Sequence, residues 1–368
     1  MNYINKDLEK FNNEIKNKRI AVIGLGVSNI PLLDYFYAHN AYVTAFDSKP
    51  KDKIEKCVIE KLEDYNMVYY LGEKSLEHLV GFDYIFRSPS CRPDTPEILK
   101  EVENGAILTS EIEKVLELTP STVIGVTGSD GKTTTTTLIY EILKANNYKC
   151  FLGGNIGTPL FTKISEMKPE DIVVLELSSF QLMNMTISPQ IAVITNISPN
   201  HLNIHKDYKE YIESKMNIFL HQNEKGILIT NADNEITKEF YKKSKGKVRY
   251  FSSKQKLENG VIFDRTDNII KLCEDGTRKH LIKQKNMKLR GIHNCENACA
   301  AICATLEFAK EDITKKTIEK FPGVEHRLEY IKTINNVQWY NDSIGSSPTR
   351  TIAGLNSFDE KIVLIAGG

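Results

Sequence analysis

The sequence predicts an α/β protein built on largely parallel sheets, and one repeated pattern carries that prediction. Short apolar runs suited to buried strands end at glycine-containing turns, and a stretch with helical spacing follows the turn. Strand, turn, helix and strand in this order form the opening unit of a doubly wound sheet. With 368 residues the chain has room for two or three domains, since a domain averages about 150 residues.

The first domain is predicted to be Rossmann-like and to cover residues 1–115. A glycine turn follows its first strand, and a helical stretch then reaches His39. Its buried strands are expected at residues 19–23, 42–46, 82–86 and 106–109.

The glycine turn of this domain partly matches a dinucleotide-binding loop. Gly24 and Gly26 have the required spacing, and the acidic Asp47 follows about 20 residues later. Asn29 stands in place of the third glycine, which in that loop allows the helix to pack closely on the strand. The loop could hold any nucleotide diphosphate, or it could be a tight turn without a ligand.

A central domain is predicted over residues 116–324, with a mostly parallel sheet and a small antiparallel part. Short alternating runs with turn residues between 247 and 283 predict the antiparallel part, and a helix is expected at about 295–308. The parallel strands are expected at residues 122–126, 172–175, 191–195 and 227–230.

A third α/β domain is predicted to start at residue 325, after a linker at 321–324. A strand at 337–340, a helix opened by Pro348 and a strand at 362–365 follow. About 45 residues with one helix cannot close an independent α/β domain, so residues 325–368 are expected to be an incomplete one.

Composition excludes several classes of protein. Lys+Arg and Asp+Glu both number 48, which gives a formal charge of zero and argues against a nucleic-acid partner. No apolar run reaches the ~18 residues of a membrane span, and the N-terminus has no apolar signal segment. Seven cysteines, an odd number, indicate reduced thiols, so a cytoplasmic protein is expected.

A second glycine loop has the composition of a phosphate-binding loop. Its glycines let backbone N–H groups approach phosphate oxygens at the N-terminus of a helix. Lys132 could reach the β- and γ-phosphates, and the Thr133 hydroxyl could coordinate Mg²⁺. The strict pattern has glycine at position 126, where this chain has valine; a turn without a ligand is the alternative. The loop reads Gly125-Val126-Thr127-Gly128-Ser129-Asp130-Gly131-Lys132-Thr133-Thr134.

Two charged residues interrupt apolar patterns. Glu176 ends an otherwise apolar strand, where an unpaired charge would be costly, and a Mg²⁺ ion with nucleotide phosphates is its natural partner. A strand-end carboxylate facing water is the alternative. Lys215 lies within a helical apolar stripe, where a lysine usually extends to solvent. The stripe consists of Tyr208, Tyr211, Ile212, Met216 and Phe219.

Two further groups of residues are candidates for ligand binding. His201 and His205 lie in a loop after the strand at 191–195, at the strand end where doubly wound sheets bind ligands. Cys295, Cys299 and Cys303 share one helix face, but their spacing matches no zinc pattern, so buried packing is the interpretation.

In this order the motifs resemble those of the Mur ligases of peptidoglycan synthesis, over essentially the whole chain. The motifs that carry the resemblance are Gly24-Leu25-Gly26-Val27-Ser28, residues 127–134, Gly153-Gly154-Asn155-Ile156-Gly157, residues 176–181, Gly291-x-His293-Asn294-x-x-Asn297, His326-Arg327 and Asn341-Asp342-Ser343.

The resemblance implies an ATP-dependent ligase that adds D-glutamate to UDP-N-acetylmuramoyl-L-alanine through an acyl phosphate. It implies ATP, Mg²⁺ (two ions are expected), a carbamylated Lys215 and a monomer. Lys132, His201 and Lys215 are the implied catalytic residues. ATP would be bound by Gly128, Ser129, Asp130, Gly131, Lys132, Thr133, Thr134, Asn297, Arg327 and Asp342. The UDP-linked substrate would contact Val27, Ser28, Ser48, Lys49, Asn155, Ser178 and His201. The metal ligands would be Thr133, Glu176, His201 and Lys215.

The sequence also departs from the family pattern. Ser90 replaces a usual glycine, and Ile344 stands where a lysine often follows Asn-Asp-Ser. Because family residues that grip D-glutamate would lie beyond Gly368, weak or no turnover by this chain alone is expected. The alternatives are a nucleotide-binding fragment without turnover, a Mur ligase for another amino acid, a nicotinamide-dependent dehydrogenase, and a kinase or GTPase-like switch.

Overall fold

The structure is a computed structural model, which describes residues 3–200, 204–345, 348–358 and 360–367. Its α-helices are α1 (Lys6–Glu14), α2 (Ile30–Ala38), α3 (Lys56–Asp64), α4 (Pro96–Glu103), α5 (Glu111–Leu118), α6 (Lys132–Ala145), α7 (Ser179–Leu182), α8 (Tyr208–Leu220), α9 (Ile292–Thr305), α10 (Glu311–Lys320) and α11 (Pro348–Leu355). Its strands are β1 (Arg19–Ile23), β2 (Tyr42–Asp47), β3 (Val68–Leu71), β4 (Tyr84–Arg87), β5 (Ile107–Thr109), β6 (Thr122–Thr127), β7 (Cys150–Gly154), β8 (Ile172–Glu176), β9 (Ile191–Ile194), β10 (Ile227–Asn231), β11 (Lys247–Ser252), β12 (Gly260–Asp264), β13 (Ile269–Glu274), β14 (Thr277–Lys283), β15 (Glu329–Ile334) and β16 (Val337–Asn341).

The described residues divide into two compact units. Unit 1 takes those within 1–123, 151–189 and 205–221, and unit 2 takes those within 124–150, 190–204 and 222–368.

Unit 1 contains a parallel sheet with strand order β3-β2-β1-β4-β5. The chain moves outward from β1 to β3 and then returns to β4, so the order reverses between β1 and β4. Ligands of open α/β sheets bind at such a reversal, outside the carboxyl ends of the strands. The same unit contains β8 and all but the first residue of β7, which are hydrogen-bonded neighbours, together with α7 and α8.

Aromatic packing holds the core of unit 1. The rings of Phe36 and Phe86 lie 4.8 Å apart between centroids, and Tyr35 meets Phe161 edge-on at the same separation. The side chains of Phe36, Phe86 and Phe161 are buried, so they supply much of the apolar area removed from water here.

Unit 2 contains the strand run β14-β13-β12-β11-β10-β9-β6. The pairs from β6 through β12 are parallel, and only β12-β13 and β13-β14 are antiparallel. The antiparallel part predicted for 247–283 is therefore confirmed from β12 onward and wrong for β11, which pairs in parallel with both neighbours. Only residues 253–259 separate β11 from β12, a length typical of a hairpin, so the local sequence does not reveal that the two strands run parallel.

The helix α9 is almost entirely buried. Small side chains, mainly alanine and cysteine, line it, and they allow neighbouring elements to pack closely. Cys295, Cys299 and Cys303 are buried in this helix, and burial raises the pKa of the Cys295 and Cys303 thiols to about 12. The packing interpretation of the three thiols is thus supported. None of the seven cysteines forms a disulfide.

The segment after residue 325 forms the hairpin β15–β16 and the helix α11. Asn335 and Asn336 make the turn, both with positive φ, as a two-residue hairpin turn requires. The strand predicted at 362–365 is wrong, because these residues join no sheet of the described structure and are exposed, Val363 by 92%. A strand is defined by its partner, and apolar character alone does not supply one.

None of the helices in the described part of the chain is both long and apolar enough to cross a membrane.

Candidate functional site

The second glycine loop follows β6 and leads into α6 in unit 2, as predicted. Gly128 and Gly131 have φ of +151° and +79°. A Cβ atom on Gly128 would lie 1.9 Å from Thr195 Oγ1, and one on Gly131 would lie 2.3 Å from Asn297 Oδ1. Only glycine fits at either position, and the resulting loop places backbone at the N-terminus of a 14-residue helix.

The residues after β9 hold the loop in place. The Ser129 N–H donates to the Asn196 carbonyl (2.9 Å), and the Asp130 N–H donates to Asn196 Oδ1 (3.0 Å). The Asp130 carbonyl accepts from Thr195 Oγ1 (2.5 Å) and Asn196 Nδ2 (3.1 Å). Thr195 and Asn196 are thus site residues that the sequence analysis did not identify.

Lys132 is the first residue of α6, and its ammonium folds over the loop. Lys132 Nζ donates to the carbonyls of Gly128 (2.9 Å) and Ser129 (3.0 Å). The next residue, Thr133, accepts through Oγ1 from Arg327 Nη2 (3.1 Å). Lys132 and Thr133, predicted to bind the ATP phosphates and Mg²⁺, therefore lie near Arg327, a predicted nucleotide ligand.

Asn297 lies on α9 and is nearly buried against α6. Its Oδ1 accepts from Thr135 Oγ1 (3.3 Å), and its Nδ2 donates to Asn294 Oδ1 (3.1 Å). Asn297 also lies close to Gly131, so it contacts the second glycine loop. Thr134 is buried in the first turn of α6.

Arg327 lies in a strained stretch of backbone. Its neighbours His326 and Leu328 have φ of +63° and +44°, a region that non-glycine residues rarely adopt. The Asp342 carboxylate fixes this conformation, because its Oδ1 accepts from the Leu328 N–H (3.1 Å). Backbone strain of this kind clusters at functional sites, and here it directs Arg327 to Thr133.

In unit 1, Glu176 ends β8 with a buried carboxylate, only 1% exposed. Oε1 accepts from Asn155 Nδ2 (2.9 Å), and the Asn155 N–H donates to the Glu176 carbonyl (2.8 Å). Oε2 is buried with no hydrogen-bond partner. An orphaned carboxylate oxygen is costly in an apolar interior, and a bound Mg²⁺ would satisfy it. The structure thus brings together Asn155, predicted to contact the substrate, and Glu176, predicted to bind the metal, and the water-facing alternative for Glu176 is wrong.

Ser178 caps α7. Its Oγ accepts from the Gln181 N–H (3.2 Å), and Gln181 Oε1 accepts from the Ser178 N–H (2.9 Å), which completes a capping box. The structure therefore gives Ser178 a local role besides the predicted contact with substrate.

Lys215 is buried on α8, with 2% of its surface exposed, and does not extend to solvent. Its Nζ lies 4.9 Å from the ring centroid of Tyr211. Among the described residues, no group of three or more His, Cys, Asp or Glu side chains is arranged to hold a metal ion. His201, predicted as a ligand, lies outside the described residues.

His205 is buried in the interior of unit 1, 3% exposed. Nε2 lies 2.9 Å from Ser179 Oγ, and Nδ1 lies 3.4 Å from Glu210 Oε2. The ring stacks on Phe180 (5.1 Å). Burial lowers the pKa of His205, so the neutral imidazole is favoured. This histidine joins the start of α7 to α8, which carries Lys215.

The first glycine loop lies at the carboxyl end of β1, beside the reversal of strand order. Gly24 has φ +88°, and a Cβ there would meet Ser88 Oγ at 2.3 Å. Asp47 accepts through Oδ2 from the Leu25 N–H (2.7 Å) and through Oδ1 from the Lys49 N–H (2.8 Å). Through these two backbone hydrogen bonds the Asp47 carboxylate ties the turn after β1 to the turn after β2.

Four of the residues predicted to contact the UDP-linked substrate, those that the family resemblance places at its uridine nucleotide, are accessible at this edge of the sheet. Val27, Ser48 and Lys49 are exposed, and Ser28 is half-buried. They follow β1 and β2, which are parallel neighbours, so they share one end of the sheet.

Comparison with protein families gives two matches. The profile of the Mur ligase middle domain matches residues 126–305, and that of the Mur ligase MurD-like N-terminal domain matches residues 18–110.

Curated relatives match nearly the whole chain. UDP-N-acetylmuramoylalanine--D-glutamate ligase of Acetivibrio thermocellus is 50% identical over 365 residues, which is 99% of this chain and 78% of the relative. The protein of the same name from Clostridium kluyveri is 49% identical over 363 residues, with the same two coverages.

Solved structures share the fold at low sequence identity. UDP-N-acetylmuramate:L-alanyl-gamma-D-glutamyl-meso-diaminopimelate ligase from Neisseria meningitides has a TM-score of 0.56 at 20% identity, over 84% of this chain and 99% of that one. UDP-N-acetylmuramate-alanine ligase from Thermotoga maritima has a TM-score of 0.54 at 20% identity, over 92% and 77%.

Proposed function

Because this chain belongs to the Mur ligase family, we propose that it is an ATP-dependent ligase that joins D-glutamate to UDP-N-acetylmuramoyl-L-alanine. The second glycine loop, residues 128–134 and from here the phosphate loop, is the observation that supports the proposal. Only glycine fits at two of its positions, and the Lys132 ammonium lies over it. The relatives that are about half identical and bear the name of that activity support the choice of substrates.

The chemistry requires activation of a carboxylate. The γ-phosphoryl group of ATP is transferred to an oxygen of the alanine carboxylate, which gives an acyl phosphate and ADP. The amine of D-glutamate then attacks the carbonyl carbon, the C–O bond to phosphate breaks, and an amide forms. Lys132 and the loop N–H groups bind and orient the phosphates, since positioning and charge neutralisation supply most of the catalysis of phosphoryl transfer.

Mg²⁺ accompanies ATP in this family, and the donor groups suit it. Thr133 in unit 2 would be one ligand. In unit 1 the orphaned Glu176 Oε2 would be another. The proposal also includes His201 as a ligand. When bound, the ion neutralises phosphate charge. Two Mg²⁺ ions remain part of the proposal.

Lys215 is proposed to act as a carbamate. A buried ammonium would repel Mg²⁺, whereas a carbamate would offer it anionic oxygens. The burial of Lys215 supports this proposal, because an ordinary lysine at that position would extend to solvent.

The remaining assignments complete the proposal. The division at residues 115 and 324 into three domains, a cytoplasmic location and a monomeric state are part of it. Nucleotide contacts are proposed for Asn297, Arg327 and Asp342 beside the loop residues 128–134, and substrate contacts for Val27, Ser28, Ser48, Lys49, Asn155, Ser178 and His201.

Because weak or no turnover is expected from this chain alone, the test is phosphate release from ATP by the complete enzyme, with UDP-N-acetylmuramoyl-L-alanine and D-glutamate both present. Release should require both substrates, and Lys132→Ala should abolish it. Lys144→Ala removes the same charge from the exposed end of the same helix and should leave the rate unchanged. Unchanged phosphate release by Lys132→Ala would refute the loop assignment, and equal release with a different amino acid would refute the choice of D-glutamate.

A further inference from the structure

We propose that Arg350 is a positioning residue of the phosphate loop: it neutralises the Asp130 carboxylate so that an anionic nucleotide can bind. The inference rests on the proposed function, because it assumes that the loop binds nucleotide phosphates.

The contact involves both the carboxylate and the backbone of the loop. Arg350 Nε donates to Asp130 Oδ1 at 2.5 Å, and Nη2 donates to the Ser129 carbonyl at 3.2 Å. The two side chains are 24% and 32% exposed, so solvent screens this ion pair only in part. The guanidinium therefore meets the loop at two adjacent residues, in the forked geometry that arginine favours.

Asp130 presents an electrostatic problem to the loop. Its backbone N–H and carbonyl are held by Thr195 and Asn196, so the residue stays in place between Ser129 and Gly131 and its carboxylate remains beside the loop. A fixed negative charge between Ser129 and Gly131 would repel the phosphates that the loop receives. A cation fixed beside the carboxylate removes most of this repulsion, and Arg350 is such a cation.

The helix α11, which carries Arg350, lies close to Asp342. Gly354 is one turn after Arg350, so the two residues share a face of α11. A Cβ on Gly354 would lie 3.1 Å from Asp342 Oδ2, which shows how closely this face approaches Asp342. Asp342 also fixes the backbone next to Arg327, whose guanidinium meets Thr133. Asp342 thus lies next to the helix that carries Arg350 and also fixes the backbone beside Arg327.

A double-mutant cycle on the binding of Mg²⁺-ADP tests the proposal. Calorimetric titration of the full chain would compare the wild type with Arg350→Gln, Asp130→Asn and the double variant. Arg350→Gln should weaken binding roughly tenfold, because it leaves the carboxylate uncompensated. Asp130→Asn removes the repelling charge and keeps the loop backbone, through which Asp130 is proposed to contact the nucleotide, so it should bind more tightly than Arg350→Gln. The double variant should return to within about twofold of the wild type, since neither charge remains.

Further measurements separate charge compensation from a merely structural role. The loss in Arg350→Gln should shrink as salt is raised, and Arg350→Lys should retain most of the affinity. Arg278→Gln removes a charge from an exposed strand position and serves as the matched control.

Three results would overturn the proposal. A double variant as weak as Arg350→Gln would mean that Arg350 contacts phosphate directly or only supports the fold. Equal affinity of Arg350→Gln and the wild type would show that the ion pair has no effect on binding. If the wild type binds no Mg²⁺-ADP, the proposed function fails, and this inference fails with it.

Discussion

Two charged residues that the sequence places in apolar surroundings are buried in the structure. Glu176 and Lys215 are each at most 2% exposed, and each occupies a position where an ordinary surface charge would face water. Burial of a charge is tolerated when a partner compensates it, so such residues are candidates for function. The sequence supplied this signal for both residues, because a charge within a regular apolar pattern is visible without a structure.

The carbamate proposal for Lys215 gives a test by chemical rescue. Lys215→Ala should lose phosphate release, because no anionic oxygen remains at that position. A short carboxylic acid added at high concentration should restore part of the activity, and bicarbonate should not. The control Lys209→Ala lies on the same helix with its side chain 80% exposed and should behave as the wild type. Full activity of Lys215→Ala without added acid would contradict the role of a carbamate.

At the scale of elements, the strands that the sequence predicted well are those with continuous β-branched and apolar runs, such as β8 and β9. The edge strand β3 was missed, since none of its residues is fully buried and its apolar pattern is weak. β7 was missed because it ends in two glycines, which favour turns in a sequence. Burial of these elements depends on tertiary neighbours, which local sequence does not specify.

The candidate site shows the same limit. The loop from Gly128 to Thr133 could be predicted because its glycines and lysine are contiguous. Thr195 and Asn196, which brace it, are more than 60 residues away, and nothing in their own segment indicates a partner. Arg350 is likewise more than 200 residues from Asp130. Contacts of this range follow from the fold and not from a motif.

An ion pair between Arg92, which follows β4, and Glu210 on α8 predicts that the stability of the protein depends on pH. Arg92 donates to Glu210 Oε1 (2.7 Å) and Oε2 (3.2 Å), and this contact lowers the pKa of Glu210 from 4.5 to about 2. Because the pKa is lower in the folded state, the stabilisation is fully present above pH 4.5 and is lost as the pH falls toward 2.

Glu210→Gln should therefore destabilise the protein by about 1 kcal/mol at neutral pH, a value reduced for the partial exposure of the pair. The difference in melting temperature between the variant and the wild type should shrink as the pH falls below 4.5. Glu213→Gln, on an exposed position of the same helix, is the control. A difference that stays constant between neutral and acid pH would mean that Glu210 stabilises by packing and not by charge.

At the scale of the whole molecule, the residues proposed to bind the uridine nucleotide and those proposed to bind the ATP phosphates belong to different units. The predicted uridine-binding residues, among them Val27 and Lys49, belong to unit 1, whereas the phosphate loop at 128–134 belongs to unit 2. Ligands protect the backbone amides that they contact or stabilise, so each ligand should give its own pattern of hydrogen exchange.

Hydrogen–deuterium exchange would measure these two patterns in one protein. UDP-N-acetylmuramoyl-L-alanine should slow exchange at residues 24–28 and 47–49, since the N–H groups of Leu25 and Lys49 bond to Asp47 beneath the proposed uridine site. Mg²⁺-ADP should instead slow exchange at 128–134 and in the bracing segment that contains Asn196. In Lys132→Ala, Mg²⁺-ADP should no longer slow exchange, whereas UDP-N-acetylmuramoyl-L-alanine should still do so. The substitution removes a phosphate ligand and leaves the first glycine loop unchanged. Protection of the first glycine loop by Mg²⁺-ADP alone would contradict the assignment of the two loops, since both would then be binding the same nucleotide.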